Sequence, residues 1–345
     1  MVDVSGLGQD RASSPAVSSE SPSGRDLPVA SPLMPGLFAD DQLAAYVAQQ
    51  APATGGLNAR AMREGMARRV LARAPGPEMR AVLDLRNGPI PMRLYRPVAG
   101  PTPLVVYAHG GGWTIGSLDS HDRMCRRLAK GSGASVLALD YRLAPEYPWP
   151  ASVDDTVAAL GWVASAPAQL AGANGVVAVA GDSAGGTLAA LACLRVRDQN
   201  PAALPNLQVL LYANTDLTGA QPSMREKATG WGLDASTIRF FNSQWVPDQS
   251  FWSDPGVSPL HAPDLSGLPS TLIVSAEHDP LRDESEAYAQ RLREAGVDVE
   301  LRREPGLIHG FLTLDQISPA CAAAADRVAA DIRDRLAQPP PRMRR

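Results

Sequence analysis

Apolar residues in this chain gather into short runs set apart by longer amphipathic stretches. Runs at 104–109, 135–140, 176–181, 207–212, 271–275 and 297–303 have strand rather than helix length. Most of them are nearly continuous rather than alternating, the pattern of parallel strands covered on both faces. Two earlier segments, 79–85 and 90–95, bring the expected strands to eight, and helical periodicity fills stretches such as 152–165 and 284–295. Repeated β-α-β order predicts an α/β fold with a doubly wound, mostly parallel sheet, whose functional loops lie at the carboxyl ends of the strands.

Two regions depart from that rhythm. Residues 1–32 are rich in Ser, Pro, Gly and Asp, bury too little to order themselves, and are expected to form a disordered leader. Residues 33–75 turn helical, with Leu43, Tyr46 and Val47 on one stripe and Met62, Met66 and Val70 on another. These are the expected N-terminal cap helices; the plainer alternative is a surface pair packing on the core. The core then runs over 76–213 and 264–337, interrupted by a cap insertion at 214–263, and 338–345 is expected to be a disordered tail. The insertion holds Trp231, Phe240, Phe241, Trp245, Phe251 and Trp252, which supply the large apolar area that a lid presents to an acyl chain. Phe240, Phe241 and Trp245 are the expected pocket residues here, and Trp113 is the leading single candidate for substrate contact.

The chemistry concentrates in four loops after strands. Val179-Ala-Gly-Asp-Ser-Ala-Gly-Gly186 carries an apolar strand into G-x-S-x-G and then a helix-forming segment, an elbow that exposes Ser183 as a candidate nucleophile. Gly181 and Gly185 permit the tight turn. His109-Gly-Gly-Gly112 ends another apolar run, and three glycines there suggest that the backbone amides themselves are needed, as donors to an oxyanion. Asp279 and His309 each follow a strand, completing the order Ser, Asp, His. Asp283 competes with Asp279 but is expected to begin or solvate the next helix. His278 competes with His309, but its adjacency to Asp279 points it elsewhere. His121 and His261 read as surface or loop histidines.

Five blocks in one order carry a family resemblance: His109-Gly-Gly-Gly-Trp113, Asp140-Tyr-Arg-Leu-Ala-Pro-Glu146, Gly181-Asp-Ser-Ala-Gly-Gly186, His278-Asp-Pro-Leu-Arg-Asp-Glu284 and His309-Gly-Phe311. Over roughly residues 80 to 335 the chain resembles the hormone-sensitive-lipase-like, bacterial type IV esterases of the α/β-hydrolase superfamily. The resemblance implies an α/β-hydrolase fold with a helical cap, and a serine carboxylesterase acting on short- to medium-chain esters through an acyl-enzyme. It implies Ser183 as nucleophile, His309 as general base and acid, and Asp279 as the carboxylate fixing the histidine tautomer. The oxyanion hole would be the amides of Gly111, Gly112 and Ala184. It also implies a scaffold role for Arg142 and Glu146, paired with each other. The same site could serve an acyltransferase, or a lactone- or amide-processing hydrolase. A non-catalytic receptor, as in the related plant gibberellin receptors, fits less well because His309 is present.

Composition narrows the classes further. A formal charge of −4 gives no basic surface for nucleic acid, and 45% hydrophobic residues can fill a sizeable core. No run is long enough for a membrane span, and no secretory signal pattern opens the chain. Three cysteines, Cys125, Cys193 and Cys321, lack metal spacing and suggest a reducing, cytoplasmic setting. No Walker sequence or H-E-x-x-H occurs, and Gly131-Ser-Gly133 is only a fragment of a dinucleotide fingerprint, so neither cofactor nor metal is expected. The expected partner is a small ester, with a homodimer through the 297–303 edge strand as a possibility.

Overall fold

A computed structural model describes residues 36–50, 56–166, 170 and 173–337. The leader expected at 1–32 and the tail at 338–345 lie outside these residues. Eight strands form one sheet: β1 Ala81–Asn87, β2 Ile90–Arg96, β3 Thr102–Ala108, β4 Ser135–Leu139, β5 Ala173–Asp182, β6 Leu207–Leu211, β7 Ser270–His278 and β8 Val299–Ile308. Their spatial order is β1-β2-β4-β3-β5-β6-β7-β8. β1 and β2 pair antiparallel, as do β2 and β4, and every later pairing is parallel. The continuous apolar runs explain the middle of this order, where every residue of β4 and β6 is buried.

Helices α3 Leu118–Ser132, α4 Ala151–Ala164, α5 Ala184–Gln199, α8 Arg282–Glu294 and α9 Pro319–Leu336 cover the sheet. α3 packs on α9 and α4 on α5, while α8 lies over β7 and β8. α3 starts with a capping box in which the Ser117 and Ser120 side chains each bond the other's backbone N–H, and it ends at Gly133 with φ 70°. Gly131-Ser-Gly133 is therefore a helix terminus.

Before the sheet come α1 Asp41–Ala48 and α2 Ala59–Leu71; within the insertion lie α6 Pro222–Glu226 and α7 Ala235–Trp245. α1 buries Leu43 and Val47, and the Asp40 carboxylate accepts from Leu43 N–H and from the Ser318 hydroxyl and Ala320 N–H, joining the start of α1 to that of α9. α2 has no buried residue. It is instead docked by Arg63, which donates to the carbonyls of Thr114 and Ala144 at 2.7 Å and forms a two-pronged ion pair with Glu146. The expected Arg142–Glu146 pair is thus replaced. Arg142 is held by Asp155 on α4, because α4 and α2 each supply a nearer partner.

Candidate active site

Ser183 stands between β5 and α5 at φ 52°, ψ −123°, a region that costs a residue with a side chain about 1–3 kcal/mol. Its N–H donates to Leu211 O at 2.8 Å and its carbonyl accepts from Gly186 N–H at 2.9 Å, so β6 and the first turn of α5 hold the strained backbone from both sides. The flanking glycines answer to crowding rather than to φ. A Cβ on Gly181 would stand 2.2 Å from the Gly185 carbonyl carbon, and one on Gly185 would stand 2.0 Å from Ala108 O. The elbow is therefore wedged against the end of β3, beside the glycine loop.

His309 follows β8 and reaches both partners. Its Nδ1 lies 2.8 Å from the Asp279 carboxylate and its Nε2 lies 2.9 Å from Ser183 Oγ. A carboxylate can only accept, so Nδ1 carries the proton and leaves Nε2 free to accept from the serine hydroxyl. Asp279 is fully buried, and its second oxygen accepts from Leu281 N–H at 2.8 Å. The Tyr212 ring meets the imidazole edge-on, with centroids 5.0 Å apart. Of the competing residues, His278 turns away to Leu37 O at 2.7 Å, and Asp283 lies in the first turn of α8, bonded to Ser223 N–H.

The glycine loop is built around Asp182, the residue before the serine. Its buried carboxylate accepts from Tyr107 O–H at 2.6 Å and Gly110 N–H at 2.8 Å, and the His121 ring nitrogen lies 3.5 Å away. Burial opposes its charge, but His121, the Tyr107 hydroxyl and the Gly110 amide together hold the carboxyl below its ordinary range. His109 stacks on His121 and Tyr141. Burial, then the neighbouring His121, lowers its pKa to about 3, so it is a neutral spacer. Gly111 and Gly112 take φ of 118° and 57°, and a Cβ on Gly112 would fall 2.1 Å from the Phe241 ring. Among the described residues no protein acceptor engages the amides of Gly111, Gly112 or Ala184, all three of which border the cleft with Ser183.

The cleft has a cavity volume of about 180 Å³. Leu233, Ile238 and Phe241 from the segment between β6 and β7 border it as an apolar wall with Leu281, and Met66 of α2 borders it as well. Two of the expected pocket residues are placed elsewhere. Trp245 is fully buried, stacked on Trp113 with centroids 4.0 Å apart, and its indole N–H reaches Ser152 in the core. Phe240 faces a separate surface groove with Arg239 and Trp252. Positions 238, 241, 242 and 245 share the buried face of α7, so its neighbour 240 turns outward. Trp113 borders the cleft, with its indole held against Trp245.

A family model described as alpha/beta hydrolase fold matches residues 105–313. The chain belongs to that family. Among curated relatives, carboxylic ester hydrolase LipN of Mycobacterium tuberculosis is 44% identical, covering 76% of this chain and 73% of that protein. Ethyl acetate hydrolase of Pseudomonas putida is 38% identical, covering 68% and 76%. The solved structure of an esterase from Pyrobaculum calidifontis superposes with a TM-score of 0.76 at 40% identity, covering 81% of this chain and 93% of that one. These relatives fit the hormone-sensitive-lipase-like branch that the motifs resemble.

In this hydrolase the sequence reading missed the residues that hold the loop. His121, expected at the surface, is buried and borders the cleft. The signal was present: His121, Met124, Cys125 and Leu128 lie at helical spacing and form the buried stripe of α3. Asp182 could have been noticed as a lone charge at the end of an apolar strand. Tyr107 gave no signal, since a tyrosine in a buried strand is ordinary core. His261 is half-exposed and bonds Asp216 at 3.0 Å. The three cysteines are free and buried, and among the described residues no cluster of His, Cys, Asp and Glu is suited to a metal.

Proposed function

We infer that this hydrolase is a serine carboxylesterase acting on short- to medium-chain esters, and the observation that carries the reading is the unbroken line from Asp279 through His309 to the Ser183 hydroxyl. His309 Nε2 takes the proton as Ser183 Oγ attacks the ester carbonyl. The amides of Gly111, Gly112 and Ala184 receive the oxyanion, an arrangement in which each donor contributes about 3 kcal/mol. His309 then gives the proton to the leaving alcohol, and water repeats the attack on the acyl-enzyme. Asp279 keeps the imidazole in the tautomer that both steps need. The apolar wall of Leu233, Ile238 and Phe241 supports a hydrocarbon arm of modest length, in keeping with a relative named for ethyl acetate.

The test is hydrolysis of p-nitrophenyl esters from acetyl to palmitoyl by wild type and Ser183→Ala. A serine-dependent optimum at short chains is expected; a folded wild type inert on every ester would overturn the reading. The same reading carries a cytoplasmic location and a homodimer through β8, the last strand of the sheet. Among the described residues no helix is long and apolar enough to cross a membrane. Light scattering and cell fractionation test the dimer and the location.

A further inference from the structure

Part of the cleft wall is unlike the apolar face beside Phe241. From Ser183 the wall continues through Asp182 to the His121 ring, 3.5 Å from that carboxylate. It goes on to Ser120, whose hydroxyl lies 2.8 Å from His121 Nδ1, and ends at Arg73, which donates to Ser120 O at 2.9 Å. Arg73 borders the same cleft as the nucleophile, in the segment just after α2.

Three other arginines of this region have carboxylate partners. Arg63 is bound to Glu146 and two carbonyls, Arg123 to Asp315 and two carbonyls, and Arg127 to Asp315 and Asp326. Arg73 makes one side-chain hydrogen bond of the five its guanidinium can donate, and no ion pair among the described residues. Asp315, the carboxylate whose field it feels, is already held by Arg123 and Arg127. Burial, then the like charge of Arg69, lowers the Arg73 pKa, the direction expected of a guanidinium taken out of water without a counter-ion. The one carboxylate among the residues bordering the cleft, Asp182, is engaged by Tyr107, Gly110 and His121.

We propose that Arg73 is a specificity residue for anionic esters: the cleft takes substrates that carry a carboxylate on one arm, bound by the free edge of this guanidinium. The planar fork matches a carboxylate, and a half-buried charge-assisted pair binds more strongly than an exposed one. The neutral arm lies along Leu233, Ile238 and Phe241. This inference rests on the esterase reading, and its test separates the two.

Two matched ester sets are compared. In one, p-nitrophenyl monoesters of succinic, glutaric and adipic acid place the carboxylate on the acyl arm. In the other, butyrate esters of 3-hydroxypropanoate and 6-hydroxyhexanoate place it on the alcohol arm. Each is paired with its neutral methyl ester, and Ser183→Ala supplies the background of self-hydrolysis by the neighbouring carboxylate. One set is expected to show kcat/KM at least about tenfold above its neutral partner at one chain length, and the set that does so identifies the arm. In Arg73→Gln that ratio collapses toward one, whatever factor both rates share, while Arg73→Lys keeps part of it. Neutral esters turned over with no anionic preference in either set, or a preference that survives Arg73→Gln, would overturn the proposal. Calorimetric binding of glutarate to the Ser183→Ala protein, lost on adding Arg73→Gln, reads the anion site without any hydrolysis. Glutarate binding without turnover of any ester would sustain the site and sink the esterase reading.

Discussion

The two sides of the cleft are held by different forces. On the sheet side, the elbow and glycine loop are jammed together so closely that Gly110, Gly111, Gly181 and Gly185 each have backbone or a buried side chain within 2.4 Å of where a Cβ would go. On the α2 side there is no buried residue, and the helix is docked by one arginine gripping two carbonyls and a half-exposed glutamate. Close packing fixes positions to fractions of an ångström, which the reacting atoms need. Polar docking at a surface fixes them loosely and at small energy, which suits a wall that only has to choose among substrates.

The comparison breaks most sharply at its centre. Ser183→Ala should lower turnover by about 10⁴-fold or more while leaving the fold intact, measured as initial rates on a short ester beside circular dichroism. Asp182→Asn should come next. With its charge gone, Gly110 and the loop beyond it are less firmly placed, so kcat should fall about tenfold to a hundredfold with little change in KM. The Asp182 carboxyl is held below its ordinary pKa, so it stabilises the fold above the unfolded carboxylate value of about 4. That stabilisation is lost as pH falls through the lower, folded value. The stability gap between wild type and Asp182→Asn should therefore narrow below about pH 4, as read by urea unfolding across pH.

Smaller effects sharpen the contrast. Gly185→Ala pushes a methyl into Ala108 O and should cost about 1–3 kcal/mol of stability, seen as a lowered midpoint in chemical unfolding. Glu146→Gln, on the α2 side, should cost less than about 1 kcal/mol and raise KM more than it lowers kcat. Arg63 holds the Glu146 pKa at about 2, so this latch should persist well into acid, full above the ordinary glutamate range and fading only as pH approaches 2. Added salt should weaken it at any pH.

The sheet side was also the legible side. Apolar runs of strand length located all eight strands, with ends displaced by two or three residues at β1, β3 and β5 and the largest errors where a strand runs past its apolar stretch: β7 continues to His278 and β8 to Ile308. The Ser, Asp and His of the site lie at strand ends, where loop position follows from strand position. What could not be read were contacts between segments far apart in sequence. Arg142 and Glu146 sit at a spacing that invites pairing, yet their partners are Asp155 and Arg63. Phe240 and Phe241 are equally apolar neighbours, and only the rotation of α7 against Gly112 decides which one borders the cleft. Arg73 is one of 32 basic residues in the chain, and nothing local in the sequence marks it as a cleft residue without a counter-ion.

A helix that buries nothing also leaves its sequence open to change. Arg63 apart, substitutions on α2 remove no core volume and break no hydrogen bond to the interior, so most of them should fold as well as the parent. Those at or beside Met66 nonetheless alter the cleft, which this residue borders. Lineages of this enzyme can therefore drift in diet while their catalytic machinery stands still, and a library confined to residues 59–71 should yield altered ester preferences at a high frequency of soluble, active clones.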